Sequence, residues 1–301
     1  MIEKNSLWDF ILSKNHILPS PTANKVGVPI LRTIVSNLGI MLRRFKNCRP
    51  ITSYEKDLIK NGIVVIPNFL PEDEFQKLKK EFFNIISDEN IKKTNSGSTK
   101  FSFKYLKKDE YTNYETVRNF SKNKQLIRLI CVAEGMKLFK ELETLIFEKT
   151  DFGRPSEDTD PNKLFHSDVH FHSHKVLYYI DDVTEDNGPF AYCKGSHKNN
   201  LERLFFEFKR GQLKDASKSS WRINDHQENK FFKNFFNKLM SNKKDVTGKA
   251  NTLIITNVHG FHRRGDAKEG TSRSLIRIPF RYNPVGRSNK ISPESYSGKL
   301  F

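Results

Sequence analysis

Residues 164–180 read LFHSDVHFHSHKVLYYI. The stretch alternates polar and apolar residues and then turns wholly apolar, the texture of short strands. Similar runs follow at Phe190–Cys193, Asn251–Thr256 and Ser274–Phe280, separated by turn residues such as Asp186-Asn187-Gly188-Pro189, Lys194-Gly195-Ser196 and Gly265-Asp266. Upstream, the β-branched Ile63–Phe69 predicts a buried strand. Pro71 and the acids Glu72, Asp73 and Glu74 then open a helix, with negative charge at the positive end of its dipole. Phe75, Leu78, Phe82, Ile85 and Ile86 continue that helix at core-facing spacing. The Lys/Ser/Asn-rich Ile91–Thr112 reads as a surface excursion and Thr116–Lys149 as largely helical. A helix-rich insert at about 200–241 interrupts the strands. Helices first and short strands afterwards predict a mainly β fold with flanking helices, a sandwich or jelly roll.

Residues 1–53 form an N-terminal extension, partly helical, with a short helix expected near Ser6–Ser13; residues 54–301 form the main domain. Met1–Pro19 has no basic start, apolar run and cleavage site, so no secretory leader is expected. No stretch of 18 apolar residues exists to span a membrane. The nearest candidate, Val26–Phe45, is broken by Pro29, Arg32, Asn37 and Arg43. It predicts an amphipathic helix packed on the core, with a membrane surface as the alternative.

The 301 residues carry 52 Lys+Arg against 35 Asp+Glu, a net +17. That excess is spread along the chain, and no nucleic-acid-binding motif accompanies it, so an anionic small molecule is the better-matched partner. Only 36% of residues are hydrophobic, but 25 Phe, 9 Tyr and 2 Trp supply a core and exclude global disorder. Cys48, Cys131 and Cys193 are far apart and odd in number, which argues against a disulfide framework or a cysteine zinc site. A reducing, cytoplasmic location is expected.

Six of the nine histidines fall in two places, His166 to His174 and His259 to His262. In a strand, residues i and i+2 share a face about 6–7 Å apart. His166 and Asp168 can therefore converge on one small cation, with His262 or His259 as a third ligand. Two histidines and a carboxylate on one face of an octahedral ion are the arrangement of non-haem Fe(II) oxygenases. Arg273 lies eleven residues beyond His262 in the last strand-like run. There it can hold the distal carboxylate of a dicarboxylate cosubstrate through a bidentate pair.

In combination these segments resemble the phytanoyl-CoA dioxygenase family of Fe(II)/2-oxoglutarate oxygenases. The resemblance runs over roughly residues 60–290. It comprises Asn61–Leu70 with its acidic helix, His166-Ser167-Asp168, Asp182-Val183 through Asn187-Gly188-Pro189 to Gly195-Ser196-His197, and Asn251–Ile255 through His262-Arg263-Arg264-Gly265 to Arg273. Lys194 stands where the family usually has proline. The resemblance implies a double-stranded β-helix (jelly-roll, cupin-like), with Fe(II) held by His166, Asp168 and His262 and 2-oxoglutarate by Arg273. It places the distal ligand at His262, directly before Arg263, and not at His259. It further implies oxidation of a small organic substrate by O2 with release of succinate and CO2. The carboxylate at position 168 points to oxygen insertion or hydrogen abstraction, since the family's halogenases have a small residue there. The alternative is a non-catalytic, or 2-oxoglutarate-independent, metal-binding jelly roll.

Lys175 follows the metal stretch and is a candidate for reaching a cosubstrate or substrate carboxylate. His170, His172 and His174 are candidates for the substrate mouth, and His197 for a turn-stabilising role. Arg277 shares strand parity with Arg273 and so faces the same interior, near substrate or in an ion pair; Arg281 lies just beyond it.

Overall fold

The computed structural model describes Leu18, residues 20–214 and residues 222–280. Two antiparallel sheets face each other. The larger has the strand order β1-β8-β5-β10-β4-β3-β2, with β1 Ile63–Ile66, β2 Lys92–Ser96, β3 Thr99–Lys107, β4 Thr144–Asp151, β5 His174–Tyr179, β8 Thr252–Asn257 and β10 Ser272–Pro279. The smaller has the order β7-β6-β9, with β6 Phe190–Cys193, β7 Lys243–Val246 and β9 His262–Arg264. Paired backbone hydrogen bonds of 3.0 and 2.9 Å between His166 and His262 extend that sheet's β9 edge. This is a double-stranded β-helix.

The pleat of the larger sheet sorts its residues. Val176, Tyr178, Leu253, Ile255, Ile276 and Ile278 face outward into a core shared with α4 Glu72–Ile86, α5 Glu115–Ser121 and α6 Lys124–Glu134. Their neighbours Leu177, Tyr179, Ile254 and Leu275 face the smaller sheet and pack on Phe190, Tyr192 and Val246. The helix α3 Ser53–Asn61, which leads into β1, opens on a capping box between Thr52 and Glu55, a device worth about 1 kcal/mol. Behind the smaller sheet, α7 Leu201–Gly211 and α8 Lys230–Met240 close a second core around Phe206, Phe232, Phe235 and Phe261.

Three expectations are corrected. Residues 92–107 form the β2–β3 hairpin, turning at Gly97, where φ is +57°. Residues 144–149 belong to strand β4, because β3 and β10 pair with it on both sides. Residues 167–173 do not continue a strand; β5 starts only at His174. The Ser6–Ser13 helix and Arg281 lie outside the described residues.

Nearer the N-terminus, α1 Pro21–Lys25 leads into the 20-residue helix α2 Val28–Asn47, which packs on α6 and α7. Its inward face is polar. Arg32 donates to the ring of His170 (2.6 Å), Asn37 accepts from His172 Nε2 (2.9 Å), and Arg44 donates to the carbonyls of Val132 (3.0 Å) and Ala133 (2.6 Å) at the end of α6. His172 Nδ1 in turn accepts from Asn257 Nδ2 (2.7 Å). His174 donates from Nδ1 to buried Glu134 (2.9 Å) and His197 from Nε2 to the Ile59 carbonyl (3.0 Å). His170, His172 and His174 are thus buried fasteners for α2 and α6, not the lining of a substrate mouth.

This burial has a consequence for acid stability. It holds His172 well below the ordinary histidine range, lowers His174 against the pull of Glu134, and brings His197 down to about 4. The folded protein keeps these rings neutral, whereas the unfolded chain takes up protons near the ordinary value of about 6.5. Their stabilisation is complete above that value and drains away as pH falls, for His197 across the window from 6.5 to about 4. Each such group removes up to about 1.4 kcal/mol per pH unit inside its window. The urea midpoint is expected to fall steeply between neutral pH and pH near 5; a flat profile would refute the buried neutral histidines.

Candidate functional site

His166, Asp168 and His262 meet at the open end between the sheets. One ligand atom from each lies within 4.8 Å of the others. Asp168 Oδ1 is 3.4 Å from His166 Nε2 and 3.5 Å from His262 Nε2. The two histidines come together because they bridge across the sheet edge. Asp168 is brought in by its own N–H, which donates to the Val258 carbonyl (2.9 Å).

Each ring is locked in one tautomer. His166 Nδ1–H donates to the Leu164 carbonyl (2.8 Å) and His262 Nδ1–H to the Gly260 carbonyl (3.0 Å). Both Nε2 lone pairs are therefore left to face Asp168, the orientation that backbone carbonyls impose on metal-binding histidines. His262 Nε2 is buried and has no hydrogen-bond partner among the described residues. A buried acceptor without a partner costs about 1–3 kcal/mol, and a cation between the three side chains would satisfy it. Burial, with His262 next, brings His166 down to about 4, so it is neutral and able to ligate at neutral pH. Burial alone would raise Asp168, but Lys175 opposes it most strongly and the carboxyl is held well below its usual range. The donor set, two imidazoles presenting Nε2 and one carboxylate, fits a divalent first-row metal with open positions.

A cavity runs inward from these residues. One wall is the larger sheet, with Thr94, Phe101, Phe103, Glu148, Lys175, Leu177, Arg273, Leu275 and Arg277; the other includes Phe190, His262 and Arg264. The pairing register explains the first wall. Arg273, Leu275 and Arg277 stand opposite Thr150, Glu148 and Ile146 on β4, and those stand opposite Phe101, Phe103 and Tyr105 on β3, all on one face. Lys175 Nζ lies 3.3 Å from Asp168 Oδ2. Arg277 Nη2 pairs with Glu148 at 3.0 Å, whereas Arg273 approaches the same carboxylate only to 3.9 Å. Arg273 Nη1 donates to the Gly188 carbonyl, and its Nε has no hydrogen-bond partner among the described residues. Gly188 has φ +69°, and a β-carbon there would collide with the Phe152 ring.

His259 is not in the cavity. It is fully buried between the Val169 carbonyl (2.9 Å) and the Asn199 side chain (2.8 Å). Several positioning residues escaped the sequence reading. Buried Arg203 on α7 donates to the His259 carbonyl (3.0 Å), the Ser196 carbonyl (2.9 Å) and Ser167 Oγ (3.3 Å), and its guanidinium lies 4.5 Å from the Phe261 ring centre. It clamps the two loops that carry the histidines. Its pairing with Glu207 one turn on (2.8 Å) is visible only as an ordinary i,i+4 pair in the sequence. Phe101 and Phe103 were missed with their hairpin, although the alternation Phe101-Ser102-Phe103-Lys104-Tyr105 is a period-2 signal.

No curated protein matches the chain. Similar solved structures include the epimerase SnoN with Fe3+, alpha ketoglutarate and nogalamycin RO (14% identity, 75% of this chain and 81% of that one, TM-score 0.47). Another is HygX from Streptomyces hygroscopicus with nickel and 2-oxoglutarate (15%, 75% and 85%, 0.45). A Pseudomonas putida prolyl-4-hydroxylase is also similar (14%, 76% and 98%, 0.44). The family model for phytanoyl-CoA dioxygenase (PhyH) matches residues 58–244, which takes in His166, Asp168 and Lys175 and stops short of His262 and Arg273. Since that match covers more than half of a chain folded as a double-stranded β-helix, the protein belongs to the phytanoyl-CoA dioxygenase family and is an Fe(II)- and 2-oxoglutarate-dependent dioxygenase.

Proposed function

We propose that the protein hydroxylates a small organic substrate, with His166, Asp168 and His262 as the iron ligands and Arg273 as the anchor for the distal carboxylate of 2-oxoglutarate. The observation that carries this is one cavity that holds His262 Nε2, buried and without a hydrogen-bond partner among the described residues, at one place and the buried Arg273 guanidinium at another. The iron, when bound, supplies activation of O2 and oxidative decarboxylation of the cosubstrate to succinate and CO2. The chain supplies the rest. The Leu164 and Gly260 carbonyls orient the ligand rings, and Lys175 keeps Asp168 ionised. Phe101, Phe103 and Leu275 keep the inner cavity apolar around the dicarboxylate. Of the five lining cations, Lys175, Arg263, Arg264 and Arg277 are paired with Asp168, Asp266, Asp158/Asp160 and Glu148, which leaves Arg273 as the lining cation best placed for the dicarboxylate.

Residues 54–301 are proposed as the oxygenase domain, with the insert at about 200–241 clamping the site through Arg203 and residues 1–53 as an accessory element. The three cysteines are free and buried, in keeping with a reducing cytoplasmic compartment. Among the described residues no helix is long and apolar enough to cross a membrane.

The decisive experiment is succinate formation from 2-oxoglutarate with and without Fe(II), screened across small anionic metabolites. Iron-dependent, substrate-stimulated succinate is expected; its absence under every condition would favour the non-catalytic alternative, which leaves the placement of Arg273 without a purpose.

The ligand assignment has its own test. His262→Ala is expected to lose iron, whereas His259→Ala keeps it and loses stability, because its burial site and two hydrogen bonds go. Anaerobic Fe(II) titration with 2-oxoglutarate, followed by visible absorption, separates the two. The reverse outcome would move the ligand to His259.

A further inference from the structure

Helix α2 is turned inside out relative to an ordinary surface helix. Its buried face carries the polar Arg32, Thr33 and Ser36 beside Pro29 and Ile40, while Leu31, Ile34, Leu38, Met41, Leu42 and Phe45 point to solvent. Leu38, Met41, Leu42 and Phe45 are 54, 57, 69 and 68% exposed. A soluble helix places such residues against the core, and a continuous stripe of them on the outside marks an interaction site. The helix packed beside it shares part of this pattern: α7 buries Arg203, Glu207 and Arg210 along with Phe206, and exposes Leu201 and Phe205. Arg32, Arg203, Glu207 and Arg210 are thus committed to the interior, where Arg32 feels the charge of Glu207.

Charge identifies what covers the stripe. From Pro21 to Arg49 the chain has no Asp or Glu, but it has Lys25, Arg32, Arg43, Arg44, Lys46 and Arg49. Lys25, Lys46 and Arg49 are exposed at the two ends of the apolar stripe. Arg49 lies over the exposed Phe45 ring at 4.0 Å and Lys209 beside the exposed Phe205 ring at 5.3 Å. Pairing with a second copy of the same helix would set these cations against one another. An anionic bilayer accepts both features, apolar side chains in the acyl boundary and cations at the headgroups. The buried Arg32 rules out a spanning role for the helix.

We propose that α2, with the exposed edge of α7, seats the enzyme on the surface of an anionic membrane without crossing it. The test is sedimentation of the full chain with vesicles of phosphatidylcholine alone or with about one third phosphatidylserine. Binding to the anionic vesicles is expected, weaker on neutral ones and weakened by salt. Leu38→Gln with Leu42→Gln leaves charge unchanged and alters only exposed positions, so folding should persist, as circular dichroism and the melting temperature would show. The double variant is expected to lose binding about tenfold or more, because the apolar area drives insertion. Three results would overturn the proposal: no binding to anionic vesicles, binding that the double variant retains in full (adsorption by general positive charge), or a concentration-dependent dimer that the double variant breaks with no vesicle binding by either protein.

Discussion

Replacing His166 or Asp168 by alanine is expected to abolish Fe(II)-dependent succinate formation while leaving the fold in place. Loss of a residue that only supports a ligand already costs about 10–100-fold in metal affinity or activity, so loss of a ligand itself should exceed that range. Only two protein donors would remain where three now lie within 4.8 Å. The fold should tolerate both changes. Asp168 is only partly buried, and its loss removes a charge, not a core side chain. His166 keeps its place through backbone hydrogen bonds to His262, which alanine also makes. The expected melting temperature is near that of the parent, and succinate falls to background at saturating iron. Wild-type-like turnover by both variants would sink the triad. Asp168→Gly should fail in the same way, since the carboxylate supplies the one negative charge among the three donors.

That His166, Asp168 and His262 cluster and that Arg273 faces the cavity was legible because both follow from short-range regularities. His166 and Asp168 were read as neighbours on a strand, yet residues 167–173 are not strand; the pair converges because His166 bridges His262 and Asp168 N–H finds Val258. The same three residues converge although the local geometry differs from the one expected, since either backbone leaves i and i+2 close. Arg273 and Arg277 were assigned to the interior by strand parity, and the register of β10 between β4 and β5 bears this out. The hairpin of β2 and β3 was obscured by its outward residues Lys93, Lys100, Ser102 and Lys104, which give an edge strand the composition of a loop. In β4, Leu145, Glu148 and Lys149 carry helical propensity, but pairing on both sides overrides it. Helix α2 was legible as a helix, while the side it turns inward depends on partners far away in sequence, such as His170 and His172, that no local pattern reveals.

Arg273→Lys is expected to raise the apparent constant for 2-oxoglutarate by roughly tenfold or more, at about 1.4 kcal/mol per decade. Charge-assisted hydrogen bonds are worth about 1.5–3 kcal/mol each, and lysine cannot present two in parallel. Three features of the cavity make Arg273 the better-placed cation. It is buried, which lowers its pKa and strengthens any contact it makes with an anion. Its carboxylate neighbour Glu148 stands off at 3.9 Å and is engaged by Arg277 at 3.0 Å. One guanidinium nitrogen is fixed on the Gly188 carbonyl while Nε remains without a partner, so the fork is held by its base. Arg273→Ala should be worse than lysine, because the bound carboxylate would then be desolvated and unpaired. Iron binding without cosubstrate should change little in either variant. Arg277→Lys is the control: it keeps an ion pair with Glu148 and should leave the 2-oxoglutarate constant within a few-fold of the parent. A large cosubstrate defect in Arg277→Lys with none in Arg273→Lys would shift the anchor two pleat repeats along β10, toward the Lys175 end of its pairing with β5, and the carboxylate would then lie beside Glu148 instead of Gly188.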